Sequence, residues 1–476
     1  MTSRSSFPVI IDTDPGIDDA LALYLALSSY QLDIKLITLV FGNTKINHVT
    51  RNIITLFDVI DKEIEYLKSA PPPNQIDPQQ WDKERKILLN RFEWSKPIVA
   101  IGADKPVKAV ECFGTYFHGS DGFGQIHTTH PHYAPENWEN LKSDRYAMSS
   151  RNAVDEILYQ LQNNPPFTIT IIGLGPLTNL ALAYEKDKYT FSRVKQIICL
   201  GGAINSCGNV TPCAEFNFFV DPDAANILAE ATKGFSPSET IQNKIERLNR
   251  KEILPLHFTV LPINVFTKYI TSLNTPLSIF ISVFIDHAFK KMQELCGTNG
   301  LELHDPAAIA LAIDMLSKNT QSFTSEFVDM KVEYQGIYTR GMAIVDTRPK
   351  GFSSTKSAQE TLKIWDDVNN VEIINSYNMN MPFGRVAEWY ISNHSLLKNI
   401  RLKCQNRKKI SELVNENIIA VSRVEGVVDY IKWNTKKGST KSTNRIDDII
   451  KLTPEGNEYD RQIEAGEKKD KTCWYW

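Results

Sequence analysis

No stretch of the chain is apolar for long enough to cross a membrane, and Met1 to Phe7 holds no apolar core of the kind a secretory leader carries. That absence sets the expectation of a soluble, cytoplasmic protein with no membrane partner. An excess of one charge sign is missing too. With 53 basic residues against 56 acidic ones the net charge is -3, which points to no nucleic-acid or anionic-membrane partner. Cysteine is sparse. The seven thiols, Cys112, Cys199, Cys207, Cys213, Cys296, Cys404 and Cys473, are odd in number, scattered and without a Cys-x-x-Cys pair. Their pattern argues against a zinc knuckle and a disulfide framework, and they are expected to be reduced. What is there is a globular composition, 42% hydrophobic and 23% charged over 476 residues. Such a length supports one large α/β domain with extensions, or about two or three domains.

The most informative stretch runs from Val9 to Leu23. Three β-branched residues, Val9-Ile10-Ile11, lead into four carboxylates, Asp12, Asp14, Asp18 and Asp19, within eight positions. Pro15-Gly16 separates the pairs and an apolar helical pattern starts at Ile17. This spells a buried strand, a tight turn and a helix whose first turn carries Asp18 and Asp19. Carboxylates suit a helix N-terminus, where unpaired N–H groups and the macrodipole favour negative charge. Four so close together still repel one another unless something positive sits among them. A hard divalent cation with oxygen ligands would remove the conflict, and the strand ends of open α/β sheets are where such sites gather. Two other readings stand beside this one. The carboxylates can serve only as caps and turn formers. A strand followed by Asp-x-Asp also opens phosphotransferases of the haloacid dehalogenase type, although these want Thr or Val soon after the second Asp, where this chain has Pro15-Gly16.

Farther along, Ile34 to Phe41 is a second apolar run ending in Gly42-Asn43-Thr44, and Val49, Ile53, Leu56, Phe57 and Ile60 follow at helical spacing. Strand, helix, strand, helix at short spacing predicts an α/β fold with a mainly parallel central sheet flanked by helices, a Rossmann-like open sheet whose carboxyl-end loops build the site. Glu63 to Ser95, with Pro71-Pro72-Pro73, reads as an inserted surface loop, and Lys233 to Lys251 as a second, charged insertion. Between them lie Ile98 to Gly102 and a glycine-rich loop, His118 to Gly124, of a kind that often closes over ligands. The strand-like Phe167 to Ile172 ends in Gly173 to Asn179, and Ile197 to Ala203 repeats the pattern. In Gly208 to Asn217, amides beside a carboxylate either suit a substrate with several hydroxyls or simply shape a turn. After the apolar Phe258 to Ile263 an amphipathic helix is expected over Leu277 to Leu295. Then comes His304-Asp305-Pro306, with Pro suited to the first helical position and Asp305 to the cap. Phe327 to Tyr334 and Gly341 to Thr347 alternate like antiparallel or edge strands. Past about Asn393 the chain is strongly polar. Residues 394–476 read as a flexible extension with one helix, bearing Ile410, Leu413, Val414, Val421, Val424 and Val428 on one face.

Taken in order, Asp12 to Ala20, Gly42-Asn43, His118 to Gly124, Gly175 to Asn179, Gly201 to Ala203, Asn209 to Asn217, His304-Asp305-Pro306 and Thr339 to Met342 with Val345-Asp346 resemble the inosine-uridine preferring nucleoside hydrolase family. The resemblance runs from about Pro8 to about Asn393 and implies a nucleoside hydrolase-like catalytic domain over residues 1–393, interrupted by insertions near 63–95 and 233–251. It implies a Ca2+ ion held by Asp14, Asp19 and Asp305 and by the main-chain oxygen of Leu174, with Asp14 as general base. Asp18, Asn43, Asn209, Glu215 and Asn217 are implied ribose contacts. His304 is implied to protonate the leaving base, with His118 as a second candidate. The implied reaction is calcium-dependent hydrolysis of the N-glycosidic bond of ribonucleosides to free base and ribose, by a metal-bound water activated by Asp14, in nucleoside catabolism and salvage. A homodimer or homotetramer is the implied assembly, with the two insertions able to block those faces.

The residue chemistry agrees with the implied reaction. Cleaving the bond builds positive charge on the ribose, which carboxylates stabilise. A divalent cation acidifies water, and a histidine titrating near neutral pH can protonate a departing base. Leu277 to Leu303 lacks the tyrosines some relatives place there and offers Phe284, Phe289 and Met292 instead. Histidines at both 118 and 304 point to uridine and inosine, or to a broad ribonucleoside range. The alternative is a catalytically inactive nucleoside- or ribose-binding protein.

Overall fold

Alternating β-branched runs and amphipathic stretches fold in α/β order in the computed structural model, which describes residues 6–69, 96–133, 137–140, 143–263, 276–296, 304–347 and 369–377, with isolated positions between 71 and 89. The elements are β1 (Phe7–Thr13), α1 (Ile17–Leu27), β2 (Leu32–Leu39), α2 (Ile46–Ser69), β3 (Ile98–Ile101), the short α3 (Thr115–His118) and α4 (Ile126–Thr129), β4 (Ala147–Met148), α5 (Ala153–Asn163) and β5 (Thr170–Gly173). There follow α6 (Thr178–Lys186), α7 (Lys188–Phe191), β6 (Gln196–Leu200), α8 (Phe216–Val220), α9 (Pro222–Glu230), α10 (Ile241–Asn249), β7 (Phe258–Leu261), α11 (Pro276–Cys296), α12 (His304–Leu316), β8 (Phe323–Val328), β9 (Met330–Val332), β10 (Ala343–Val345) and β11 (Val371–Tyr377).

Nine strands form the central sheet in the order β4-β3-β2-β1-β5-β6-β7-β11-β8. Every pairing is parallel except that of β8 with β11, so the expected mainly parallel sheet is the observed one. Side chains alternate across a strand, and β1 shows the result. Val9 and Ile11 join the core beneath α1, α2, α11 and α12, whereas Ile10 faces the opposite core with Ile171, Ile197 and Phe258. The chain winds outward from β1 to β4, then returns to the other side of β1 and winds out again from β5 to β7. The order therefore reverses between β1 and β5, and a crevice opens at their carboxyl ends.

Several boundaries differ from the sequence reading. Helix α2 continues through Ser69, so Glu63 to Ser69 is helix and not surface loop. Glu63, Ile64 and Leu67 are buried on its inner face, and the Glu63 carboxylate accepts a hydrogen bond from the Leu277 amide at 3.0 Å. The charged segment Lys233 to Lys251 contains α10, capped by Thr240 and anchored by Leu248 against Phe167 and Leu254. Phe167 itself has a φ of 61°, which breaks the strand before Thr170. Strand β11, which has no counterpart in the sequence reading, lies between β7 and β8. Cys112, Cys199 and Cys213 are free thiols, whereas Cys207 is disulfide-bonded rather than reduced. The polar extension 394–476 and its helical face lie outside the described residues. Among the described residues no helix is long and apolar enough to cross a membrane.

Candidate active site

Two helix N-termini meet at the crevice. Helix α1 packs on α12, which brings Asp18 and Asp19 in the first turn of one beside Asp305 in the first turn of the other. The partial positive charge of both helix ends favours carboxylates there. Oxygens of Asp18, Asp19 and Asp305 all lie within 4.8 Å of one another.

Each carboxylate is held differently. Asp19 accepts four hydrogen bonds: Oδ1 accepts from the Thr13 hydroxyl at 2.5 Å and the Asp14 amide at 3.3 Å. Its Oδ2 accepts from the Gly16 amide at 3.0 Å and Asn43 Nδ2 at 2.8 Å. Asp14 stands outside the trio, with its Oδ2 accepting from the Asn43 amide at 2.7 Å. Asp18 keeps a buried oxygen, Oδ1, that has no hydrogen-bond partner among the described residues. Asp12, the fourth carboxylate of the opening block, faces elsewhere. Its Oδ1 accepts from the Thr38 hydroxyl at 2.5 Å and from Asn179 Nδ2 at 2.8 Å, which ties β1 to β2 and to the start of α6.

Electrostatics express the crowding. Burial, then the repulsion of Asp19, pushes Asp14 well above the usual carboxylate range, and the Asn43 hydrogen bond only partly opposes it. Burial and Asp19 likewise push Asp18 up to about 7, against the pull of His304. Asp305 is raised by burial and then by Asp18, Asp19 and Asp14. Among the described residues no lysine or arginine pairs with this cluster. Converging oxygen donors, a buried carboxylate oxygen without a partner and uncompensated negative charge together fit a hard divalent cation.

A cleft opens beside the cluster. Asp18, Asn43, His118, Asn209, Glu215, Asn217, His304 and Asp305 all line it, whereas Asp14 and Asp19 are not among the lining residues. Glu215 caps α8, and its carboxylate accepts from the amides of Asn217 at 2.7 Å, Gly202 at 2.8 Å and Phe218 at 3.1 Å. Burial raises its pKa, and these three amides and His304 oppose the rise. Asn217 Nδ2 donates to the Leu174 carbonyl at 2.8 Å, so this implied ligand oxygen already has one partner and keeps a second lone pair. Asn209 Oδ1 accepts from the Phe216 amide at 2.8 Å. Sequence reasoning passed over Thr13, whose hydroxyl orients Asp19, and over Asn52, whose Nδ2 donates to the carbonyls of Pro15 and Asp121 at 2.8 Å each. That amide ties the aspartate turn to the glycine-rich loop. Tyr116, Phe216 and Ile263 of the cleft wall were missed as well. Only the Phe at 216, inside the polar segment 208–217, stood out as a local signal.

Close backbone approach explains two glycines. A Cβ on Gly175 would overlap Asp14 Oδ1, and one on Gly42 would overlap Asp14 Oδ2. Gly175→Ala is therefore expected to displace Asp14 without unfolding the protein; if Asp14 takes part in the chemistry, a displacement of about an ångström lowers kcat by about 10²-fold. Steady-state turnover of the purified variant measures this, and a near-normal kcat would show that the placement of Asp14 does not matter.

Comparison with known proteins adds to the geometry. The family model for inosine-uridine preferring nucleoside hydrolases matches residues 9–382. The inosine-uridine preferring nucleoside hydrolase of Leishmania major is 28% identical over 340 residues, spanning 71% of this chain and 88% of that protein. The pyrimidine-specific ribonucleoside hydrolase RihA of Escherichia coli K12 is 28% identical over 347 residues, spanning 72% and 89%. Among solved structures, a plant nucleoside hydrolase superposes with a TM-score of 0.57 at 25% identity, covering 80% of this chain and 98% of its own. A purine-preferring ribonucleoside hydrolase from Gardnerella vaginalis shares the fold with a TM-score of 0.54 at 21% identity, covering 83% and 99%. A family match across most of the chain, on a parallel sheet whose switch point gathers the carboxylates, establishes that this protein belongs to the inosine-uridine preferring nucleoside hydrolase family and is an N-glycosyl hydrolase of ribonucleosides.

Proposed function

We propose that the protein hydrolyses uridine- and inosine-like ribonucleosides in a calcium-dependent reaction, with Asp14 as general base and His304 as general acid. The observation that carries this reading is the convergence of Asp18, Asp19 and Asp305 at two helix N-termini, beside a cleft lined by amides, carboxylates and histidines. Asp14, Asp19, Asp305 and the main-chain oxygen of Leu174 would hold the calcium ion, with Asp18 next to them. When bound, such an ion offsets the buried negative charge and makes nearby water more acidic.

The chain's own groups supply the remaining chemistry. Asn209, Glu215, Asn217, Asp18 and Asn43 face a ligand from several sides of the cleft and suit the donors and acceptors of a ribose. Glu215 is held in place by three backbone amides, which favour its charged form. As the bond between C1′ and the base nitrogen breaks, its electron pair leaves with the base and positive charge builds on the sugar. The buried carboxylates are preorganised for that charge and need no reorganisation. A water molecule adds to C1′ while Asp14 takes its proton, and His304 gives a proton to the departing base. Ribose and free base are the products.

His304→Ala tests the acid. Turnover of uridine and inosine is expected to fall by about 10²–10⁴-fold, the range for a lost general acid, while an activated aryl riboside, whose leaving group needs no proton, keeps most of its rate. Equal losses on both substrates would remove His304 from that role. Ribose release from uridine, inosine, cytidine and adenosine under the same conditions ranks the bases, with uridine and inosine expected first.

A further inference from the structure

His118 ends α3 and lines the cleft. Its Nδ1 accepts a hydrogen bond from the backbone amide of Ile17 at 3.2 Å. Ile17 opens α1, so the bond satisfies one of the helix's free N–H groups in the turn that carries Asp18 and Asp19. The ring fits there because residue 16 is glycine: a Cβ at that position would lie 2.7 Å from Nδ1. Phe117 packs edge-on against the imidazole with ring centroids 4.9 Å apart. His287 on α11, with its Nε2 3.0 Å from the Phe117 carbonyl, is the titratable neighbour on the other side, and Asp18 and His304 share the cleft.

An imidazole nitrogen that accepts a hydrogen bond carries no proton, so the ring is neutral and its one proton resides on Nε2. The positive end of α1 opposes an imidazolium at this place. Burial, with His287 adding in the same direction, pushes the ring's pKa down to about 3.

We propose that the Ile17 amide locks His118 in the Nε2–H tautomer and makes it a fixed hydrogen-bond donor to the bound substrate, not the acid that protonates the leaving base. The inference rests on the nucleoside-hydrolase reading for the identity of the substrate. It divides the labour between the two cleft histidines: His304 moves the proton, and His118 positions. It also makes the first turn of α1 common to His118, through Ile17, and to the carboxylates Asp18 and Asp19.

The test reads the ring itself. Two-bond 1H–15N correlation spectra of the calcium-loaded full chain, labelled at histidine and isoleucine, report the tautomer of each imidazole. His118 is assigned by loss of its signal in His118→Gln or, should that variant not fold, by its coupling across the hydrogen bond to the Ile17 amide. The expected pattern is that of the neutral Nε2–H form, unchanged from about pH 5.5 to about pH 8.5. An Nδ1–H tautomer, or an imidazolium appearing as the pH falls through neutrality, would overturn the proposal. Because this readout needs no turnover, it stands apart from any failure of the hydrolase reading. Kinetics give the second arm. Glutamine offers an N–H near the place of Nε2 but cannot act as an acid, so His118→Gln is expected to stay within about tenfold of the parent kcat/KM for uridine, while His118→Ala falls by about 10²-fold. A folded His118→Gln as impaired as His118→Ala would return the acid role to His118.

Discussion

Asp14→Asn is expected to lower kcat by about 10³-fold or more on every nucleoside while leaving a folded protein, which is the upper part of the range for a lost general base. Asparagine has the volume of aspartate and still offers an oxygen to the Asn43 amide, which approaches Asp14 Oδ2 at 2.7 Å. What it lacks is the charge and the capacity to take a proton. The fold should not suffer, because the charge is not what holds the turn together. Burial and the neighbouring Asp19 already disfavour an ionised Asp14. Removing one negative charge from a crowded, buried cluster relieves repulsion, so the variant stripped of metal by a chelator is expected to melt at or above the parent under the same conditions. Low activity with a lowered melting temperature would mean that the turn had collapsed. Activity within tenfold of the parent would move the base to another carboxylate, with Asp18 the first candidate because it lines the cleft.

Removing divalent cations with a chelator is expected to abolish ribose release, and adding calcium back to restore it. The physical case lies in the oxygens. Asp18, Asp19 and Asp305 bring carboxylate oxygens within 4.8 Å of one another, and all three residues are largely buried. Such charges in a low-dielectric setting repel strongly unless they are protonated or compensated. An all-oxygen donor set favours calcium or magnesium over zinc, and calcium tolerates irregular geometry where magnesium demands a strict octahedron. A ligand that binds only the folded state also stabilises it, by about 2.7 kcal/mol at a hundredfold excess over its dissociation constant. Calcium should therefore raise the melting temperature of the chelator-treated protein, a readout that does not depend on catalysis. Full activity in excess chelator would separate the aspartate cluster from the reaction.

Much of the fold was legible because its signals are local. Val9 to Ile11 followed by Pro15-Gly16 and the apolar pattern from Ile17 announces strand, turn and helix, and β1 and α1 lie there. Errors arose where composition misrepresents contact. The polar texture around Pro71 drew the first insertion back to Glu63, yet α2 runs to Ser69 because Glu63 is buried against the start of α11. Strand β11 was passed over because its sequence, Val371 to Tyr377, follows a long polar stretch and takes on meaning only as the strip between β7 and β8. Asp12 looked equivalent to its three neighbours in the block. The alternation of a strand sends it instead toward Thr38 and Asn179.

By itself the sequence determined the order of elements, the identity of the chemical groups and the family, since turn residues, hydrophobic periodicity and motif spacing are properties of neighbouring positions. Tertiary structure alone decided which of those groups meet. Residues 14 to 19, 43, 118, 174, 209 to 217 and 304 to 305 converge because β2, β1, β5 and β6 lie side by side and α1 rests on α12. It also decided that Asp18, not Asp14, completes the close trio with Asp19 and Asp305, and that the amide of Ile17 reaches Nδ1 of His118 from 101 positions away. Strand order and helix packing are set by burial summed over the whole sheet, and no local run of residues carries that sum.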